Sequence, residues 1–225
     1  MRTVLITGAS EGLGLAFAKK YLSEGYQVVS VARHNCPVDG VHSLLADLIK
    51  PEDIDRLSDE IHTRFPDVSI LINNAGTLLI EELGTCDYQK TLEVIKLNLI
   101  APLILISKLN DLILKNESDI VNICSTSGYK GRKGWGAYGM SRWGNRGLHE
   151  NLKEEYHDTK VRVMLFSPPA LKTDHFLKAG IKVDDMSEFL DPAVLADTLY
   201  DLTNSPKNMQ VGEIIINKKP LSPSR

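Results

Sequence analysis

Residues 4–14 read VLITGASEGLG, and their pattern predicts the fold class. The first three residues are apolar and predict a buried strand, and residues 13–23 have apolar side chains at helical spacing. Between them, Gly8 permits a tight turn, Gly12 permits close approach of the backbone to a phosphate, and Gly14 permits close packing of helix on strand. A strand, a glycine turn and a helix in this order are typical of a dinucleotide site, because the helix N-terminus offers unpaired N–H groups to phosphates. The alternative is a glycine-rich turn that binds no ligand.

Short apolar strands alternate with longer helical patterns along the rest of the chain. Residues 88–115 predict either one long helix or two elements with a bend near Pro102. The alternation predicts a parallel sheet of about seven strands, joined by right-handed crossovers and covered by helices on both faces. This is an α/β, Rossmann-like, doubly wound fold with three layers. The strands are predicted at 4–6, 27–31, 41–46, 69–72, 120–124, 161–166 and 213–217, and the remaining helices at 13–23, 51–65, 137–157 and 192–202.

Composition excludes several classes of protein. The chain has 225 residues, a formal net charge of −3, 43% hydrophobic residues and 24% charged residues. These values exclude a disordered chain, a collagen-like repeat and a small disulfide scaffold, and they lack the basic balance of a nucleic-acid binder. The length predicts one domain over residues 1–217, followed by a flexible tail at 218–225.

The cysteines, the histidines and the N-terminus give no sign of a disulfide framework, a metal site or a targeting segment. Cys36, Cys86 and Cys124 form no CxxC pair, and the six histidines have no metal-binding spacing. The N-terminus lacks the pattern of a signal peptide, and no apolar run reaches the length of a membrane span. We therefore expect a cytoplasmic protein that binds no metal, no nucleic acid and no membrane.

Several further motifs follow the glycine turn in a defined order. The turn has the spacing GxxxGxG, residues 73–76 read NNAG, and Asn98 lies in the following helical segment. Ser125 comes directly after a predicted strand, and Tyr138 follows it in the next helical pattern. In this combination, from residue 2 to about residue 217, the chain resembles the short-chain dehydrogenase/reductase family. The resemblance implies an oxidoreductase that uses a nicotinamide cofactor to reduce a ketone or aldehyde, or to oxidise the corresponding alcohol.

The resemblance also implies roles for individual residues. Tyr138 would exchange the proton with the substrate oxygen, Ser125 would hydrogen-bond that oxygen, and Asn98 would join a proton path. Arg142 stands where the family has a lysine, and Thr173 follows the sixth strand as in the family. The implied cofactor-binding residues are Gly8, Ser10, Glu11, Gly12, Leu13, Gly14, Arg33, Asp47, Asn74, Ala75, Gly76, Tyr138, Arg142, Pro168 and Thr173.

The end of the second predicted strand indicates which nicotinamide cofactor is preferred. An acidic residue there would favour NAD, whereas this chain has no carboxylate and continues with Arg33. A guanidinium group can bind a phosphate through two hydrogen bonds, so we predict a preference for NADP(H), with NAD(H) as the second option. Glu11 argues against a preference for NADP(H), because many NADP-dependent members of the family have a basic or neutral residue at this position. By the same resemblance, Asp47 would contact the adenine.

Two positions depart from the family pattern. Residues 138–142 read YGMSR instead of YxxxK, and Pro169 replaces a glycine after the sixth strand. A free tyrosine has a pKa of about 10, so a tyrosine that acts at neutral pH needs a nearby positive charge, which arginine keeps. Arginine cannot give up its proton, however, since its pKa exceeds about 12. The sequence therefore leaves open an active reductase and a weak or inactive NADP(H)-binding regulatory protein. A third and less favoured class, a methyltransferase, would give the serine–tyrosine pair no role.

Substrate selection and assembly are assigned to four regions. Residues 174–190 are predicted to form the substrate lid, and the basic loop at 130–135 lies before Tyr138. Both regions have an ordinary structural interpretation, as packing and as a solvated loop. By resemblance, a homodimer or homotetramer would form through the helical segments at 88–115 and 137–157. The partner is otherwise a small-molecule carbonyl or alcohol, which the sequence does not identify.

Overall fold

The computed structural model describes residues 2–219, so most of the predicted tail, 220–225, lies outside the described residues. The described chain alternates strands with helices, as the sequence predicts. The strands are β1 (Thr3–Thr7), β2 (Gln27–Ala32), β3 (His42–Leu45), β4 (Val68–Asn73), β5 (Asp119–Ile123), β6 (Arg162–Ser167) and β7 (Glu213–Ile215). The helices are α1 (Gly12–Ser23), α2 (Pro51–Arg64), α3 (Tyr88–Ile95), α4 (Ala101–Lys108), α5 (Asn110–Lys115), α6 (Gly136–Glu155), α7 (His175–Lys178) and α8 (Pro192–Thr203). The extent of the domain, residues 1–217, stays a prediction.

The strands form one parallel sheet in the order β3-β2-β1-β4-β5-β6-β7. The predicted doubly wound α/β fold is therefore confirmed. The chain runs outward from β1 in one direction and from β4 in the other, so the order reverses between these two strands. In open α/β sheets, ligands bind beyond the carboxyl ends of the strands at this reversal point. The glycine turn after β1 and the NNAG segment after β4 both lie there.

Two hydrophobic clusters, one on each face of the sheet, bury the strands. Leu5 belongs to the cluster that includes residues of α2, α4, α5 and α6, whereas Val4 and Ile6 belong to the cluster that includes residues of α1 and α8. All three side chains have no exposed surface. This alternation follows from the two-residue period of a strand, and it explains why a doubly covered strand is apolar throughout.

The segment at 88–115 contains two interruptions. A π-helical turn, Lys96–Ile100, joins α3 to α4, and Leu109 separates α4 from α5. Pro102 lies in the first turn of α4, where a missing N–H group costs little, so the irregular turn precedes the proline. Single π-helical turns of this kind often occur at functional sites. None of the helices within residues 2–219 combines the length and the apolar composition needed to cross a lipid bilayer.

Candidate active site

The glycine turn after β1 requires glycine at three positions. Gly8 and Gly12 have φ angles of 69° and 54°, in the left-handed region that favours glycine. A side chain at Gly8 would also lie 2.9 Å from the Cα atom of Ala75, and one at Gly14 would collide with the carbonyl oxygen of Gly8. The backbone N–H of Gly8 donates to the carbonyl of Val31 at 2.7 Å, which fixes the turn against the end of β2.

The NNAG segment, at the end of the neighbouring strand β4, is hydrogen-bonded to this turn. The Thr7 hydroxyl oxygen accepts hydrogen bonds from the backbone N–H groups of Asn74 and Ala75, each at 2.9 Å. The Asn74 side-chain amide donates to the carbonyls of Thr7 at 2.9 Å and Gly8 at 3.1 Å. The amide of Asn74 is therefore committed to shaping the glycine turn. Sequence reasoning missed the part that Thr7 plays in this connection.

The start of α1 presents backbone groups beside the turn. Glu11 is the residue before the helix, in extended conformation, and its side chain does not cap the helix. The Leu13 side chain packs in the core, so only the backbone of Leu13 is available to a ligand. Ser10 is half-buried in the turn. The first N–H groups of α1 consequently have no side-chain acceptor and can face an anion.

Tyr138 and Arg142 lie one helical turn apart on α6, and both are 5% exposed. The guanidinium carbon of Arg142 is 4.9 Å from the centre of the Tyr138 ring, and Nη1 donates to the Ile123 carbonyl at 3.1 Å. A side chain at Gly76 would come within 2.6 Å of Arg142 Nη2. The last glycine of the NNAG segment thus leaves room for the guanidinium group. Arg142 Nε is buried without a hydrogen-bond partner in the described structure.

Asn98 occupies the π-helical turn between α3 and α4 and is 1% exposed. Its Nδ2 atom donates to the Thr77 carbonyl at 2.9 Å and to the Ser141 hydroxyl oxygen at 3.1 Å, and its Oδ1 atom accepts from the Thr77 N–H at 2.8 Å. Ser141 in turn donates to the Tyr138 carbonyl at 2.7 Å. Asn98 therefore connects the segment after the NNAG motif to the helix that carries Tyr138 and Arg142.

Ser125 follows the carboxyl end of β5 by two residues. Its hydroxyl oxygen accepts from the Ser127 N–H at 3.1 Å and starts a short 3₁₀ turn. The preceding Cys124 thiol is buried and donates to the Arg142 carbonyl at 3.4 Å. Burial raises the pKa of this thiol. The carbonyl of Pro168, which follows β6, accepts from the N–H of Thr126 at 3.3 Å.

Two predicted cofactor-binding residues, Arg33 and Asp47, follow the strands that lie on the side of β1 away from β4. Arg33 follows β2, is exposed, and has no hydrogen-bond partner within the described part of the chain. Asp47 follows β3, and its backbone N–H donates to the Asp53 carboxylate at 2.7 Å. The Asp47 carboxylate accepts from the N–H of Ile49 at 3.4 Å, so it has a local structural contact as well. No hydrogen bond joins Arg33 or Asp47 to the glycine turn.

A family model described as short chain dehydrogenase matches residues 2–182 of this chain. The chain belongs to the short-chain dehydrogenase family. The members of this family are oxidoreductases, and the arrangement of the glycine turn, Ser125 and Tyr138 lies within the matched segment.

Known relatives and solved structures agree with this membership. A 3-oxoacyl-[acyl-carrier-protein] reductase from Buchnera aphidicola is 32% identical over 77% of this chain and 75% of its own length. A short-chain dehydrogenase from Sphingobium yanoikuyae, solved in complex with NADPH, is 27% identical, covers 89% of this chain and 83% of its own, and has a TM-score of 0.80. An alcohol dehydrogenase from Thermococcus sibiricus, complexed with 5-hydroxy-NADP, covers 100% of both chains with a TM-score of 0.88 at 24% identity. At that identity, the last likeness supports the fold alone.

In this member of the family, the predicted lid and the basic loop meet over Tyr138. The Trp135 ring is 5.5 Å from the Tyr138 ring and 6.5 Å from the Phe176 ring, measured between centres. The His175 ring lies 6.4 Å from the Tyr138 ring. Burial, together with the charge of Arg142, lowers the pKa of His175 to about 4, so this imidazole is neutral at pH 7.

The lid also reaches the glycine turn. A side chain at Gly12 would lie 3.6 Å from the methyl carbon of Thr173, and Lys178 of α7 forms an ion pair with Glu11. The sequence predicts a lid over residues 174–190 but not these contacts, since no local pattern reports which distant residues a loop touches. Within residues 2–219, no group of three His, Cys, Asp or Glu residues is placed to hold a metal ion.

Proposed function

We propose that this chain is an NADP(H)-dependent oxidoreductase that reduces a ketone or aldehyde, or oxidises the corresponding alcohol, with Tyr138 as general acid and base. One observation carries the proposal. The cluster of Tyr138, Arg142 and Asn98 is assembled at the carboxyl edge of the sheet, against the NNAG segment that shapes the glycine turn. A phenol, a fixed positive charge and an anion-binding turn are the parts that reversible carbonyl reduction requires.

The residues present fit a nicotinamide dinucleotide. The first turn of α1 has N–H groups without a side-chain acceptor, Gly8 and Gly12 have positive φ angles, and Arg142 Nε is a buried donor without a partner. The phosphates would be held by the backbone of Gly12–Gly14 and the nicotinamide half would lie near Arg142, with Thr173 as a further contact. When bound, the cofactor supplies or accepts the hydride.

The chain's own residues would handle the proton. The Tyr138 hydroxyl donates a proton to the substrate oxygen during reduction and takes it back during oxidation, while the Ser125 hydroxyl donates a hydrogen bond to the same oxygen. Arg142 supplies a positive charge, since its guanidinium carbon lies 4.9 Å from the centre of the Tyr138 ring. Because a guanidinium group keeps its proton, the Tyr138 hydroxyl must exchange its proton with water or with substrate.

The alternative is a protein that binds NADP(H) and turns over slowly or not at all. Its support is the position of Arg142, whose Nη1 atom is hydrogen-bonded to the Ile123 carbonyl and whose guanidinium carbon lies 4.9 Å from the centre of the Tyr138 ring. In this position the guanidinium group has no hydrogen bond to the Tyr138 hydroxyl. A group held in this way supplies charge without a transferable proton.

Binding and turnover, measured separately, distinguish the two functions. NADPH binding is titrated by fluorescence, and its oxidation is followed with a panel of ketones and aldehydes for wild type, Tyr138→Phe and Arg142→Lys. The reductase proposal predicts tight NADPH binding and turnover by wild type. Tyr138→Phe keeps the ring beside Arg142 but removes the hydroxyl, and it should lower turnover about 100- to 10,000-fold with unchanged NADPH binding.

The outcomes of this experiment have distinct meanings. Higher turnover by Arg142→Lys would show an active site that arginine impairs. NADPH binding without turnover by either wild type or Arg142→Lys would support the regulatory alternative. Failure of wild type to bind NADPH or NADH would refute both functions.

The NADP(H) preference rests on Arg33. This side chain is exposed, carries no ion pair within the described residues, and follows β2 on the side of the glycine turn. Arg33→Ala should weaken NADPH binding while leaving NADH binding within about twofold, because the 2′-phosphate is the only group that differs. Arg64→Ala removes an equal charge from α2 and serves as the matched control. Equal weakening of both cofactors by Arg33→Ala would contradict the assignment.

We further infer that the chain forms a homo-oligomer. The π-helical turn, α4 and α6 expose apolar side chains that a second copy would cover, namely Ile100, Leu103, Ile104, Met140 and Trp143. A mass near 25 kDa in light scattering, the mass of one chain, would refute this. Trp143→Arg should shift an oligomer toward the monomer, because a charge at the centre of an interface is costly to bury.

A further inference from the structure

The carboxylate of Glu11 lies next to the predicted phosphate site. Glu11 immediately precedes α1, in extended conformation, and its side chain caps nothing. The free N–H groups of α1 favour an anion, whereas a negative charge at Glu11 repels one. Glu11 is thus the one residue of this glycine turn whose charge opposes a phosphate ligand.

The lid supplies a counter-charge to this carboxylate. Lys178, the last residue of α7, forms an ion pair with Glu11, and both side chains are more than half exposed. Thr173, the residue before the predicted lid, lies beside the turn, because a side chain at Gly12 would come within 3.6 Å of its methyl carbon. The Lys178–Glu11 ion pair therefore joins the predicted lid to the glycine turn and offsets the only negative charge in that turn.

Glu11 and Arg33 follow the carboxyl ends of the adjacent strands β1 and β2, beside the crevice in which open α/β sheets bind their ligands. The N–H of Gly8 donates to the carbonyl of Val31 at 2.7 Å, so the glycine turn and the end of β2 are joined. Arg33 comes two residues after Val31, just beyond β2. Glu11 comes three residues after Gly8, in the turn that follows β1. A cofactor phosphate bound in this crevice would be affected by the charges of Arg33, Glu11 and Lys178.

We propose that Lys178 determines cofactor specificity from the lid: by neutralising Glu11, its ammonium group allows this crevice to accept the additional phosphate of NADP(H). The proposal rests on the proposed function, because it concerns the same cofactor site. Lys178 acts through Glu11 and is a specificity-determining residue without a part in the chemical step. Its effect is therefore measured in binding.

Wild type and three variants of the Glu11–Lys178 pair test the proposal quantitatively. The ratio of the dissociation constants for NADH and NADPH is measured by fluorescence titration for wild type, Lys178→Gln, Glu11→Gln and the double variant. Lys178→Gln leaves an unpaired carboxylate and should weaken NADPH binding about three- to tenfold, with a smaller effect on NADH. Glu11→Gln leaves an unpaired ammonium and should strengthen NADPH binding. The double variant, neutral like wild type, should return the ratio close to the wild-type value.

A matched control separates this local effect from a change in total charge. Lys182→Gln removes the same charge from another exposed lid lysine, which pairs with Asp184 within the lid. It should leave the ratio within about twofold of wild type. The differences among the four pair variants should also shrink between about 0.01 M and about 1 M salt, as the screening length falls from about 30 Å to about 3 Å.

The outcomes are distinguishable from those that test the proposed function. Wild type that binds neither nucleotide refutes the proposed function and this inference with it. Wild type that binds NADPH, with the same ratio in Lys178→Gln as in Lys182→Gln, refutes only the inference. A double variant that stays as weak as Lys178→Gln also refutes it, because Lys178 would then act by fastening the lid and not by neutralising Glu11.

Discussion

Replacing Asn98 by alanine tests the connection between the two halves of the candidate site. The amide of Asn98 is 1% exposed and makes three hydrogen bonds, two with the backbone of Thr77 and one with the hydroxyl of Ser141. Asn98→Ala removes all three and leaves their partners without a replacement in a site that water reaches poorly. The variant should therefore lose stability as well as the alignment of Ser141 below Tyr138.

The size of the effect follows from these bonds. A typical intramolecular hydrogen bond contributes about 0.5–1.5 kcal/mol, and a buried group left without a partner costs about 1–3 kcal/mol. Three bonds predict a decrease of about 3 kcal/mol in the free energy of unfolding. For a chain of this length, about 1 kcal/mol corresponds to about 2–4 °C, so the melting temperature should fall by about 6–12 °C.

The assay is denaturant unfolding followed by circular dichroism, at a fixed protomer concentration because an oligomer would make stability concentration-dependent. Asn151→Ala is the matched control. That residue is an exposed asparagine on α6 whose amide donates to the Gly147 carbonyl at 2.8 Å. Its replacement should change the free energy of unfolding by less than about 0.5 kcal/mol. If Asn98→Ala were no less stable than this control, the three bonds would not hold the site together.

Three further substitutions test other parts of the structure. Gly14→Ala should abolish NADPH binding in a titration, because the new methyl group collides with the glycine turn, whereas Gly147→Ala in an open part of α6 should leave binding unchanged. His149 is fully buried, neither nitrogen has a hydrogen-bond partner, and the nearest carboxylate, that of Glu150, is 3.9 Å from Nε2; burial outweighs this carboxylate and lowers the pKa of His149, so the folded state disfavours its protonation. Wild type should therefore lose stability as pH falls below about 6.5, the pKa of an unfolded histidine, and His149→Leu should lose less over the same range in denaturant melts. Asp119→Asn should lower the free energy of unfolding by about 3–5 kcal/mol in such melts, since it breaks a fully buried ion pair with Arg162 and leaves that charge without its partner. An unchanged midpoint for Asp119→Asn would show that the guanidinium group is compensated by its carbonyl contacts.

Local patterns predicted the order of the elements. The strands β1, β2 and β4 are apolar because helices cover both faces, and the glycine turn needs residues without a side chain. These requirements depend on near neighbours in the chain, so they can be recognised in the sequence. The sequence does not decide whether residues 88–115 form one helix or two elements, because both α and π turns accept the same apolar residues. The structure places a π-helical turn there, with Asn98 directed toward Thr77 and Ser141.

The fold class, the glycine turn and the family resemblance can all be recognised in the sequence. The packed structure was needed to find that Gly76 makes room for Arg142, that the Arg142 guanidinium is hydrogen-bonded to the Ile123 carbonyl, and that Lys178 pairs with Glu11. The physical reason is the range of the interactions. Glycine conformation and strand periodicity are properties of adjacent residues, whereas these contacts join residues from separate elements and exist only after the helices and the lid have packed on the sheet.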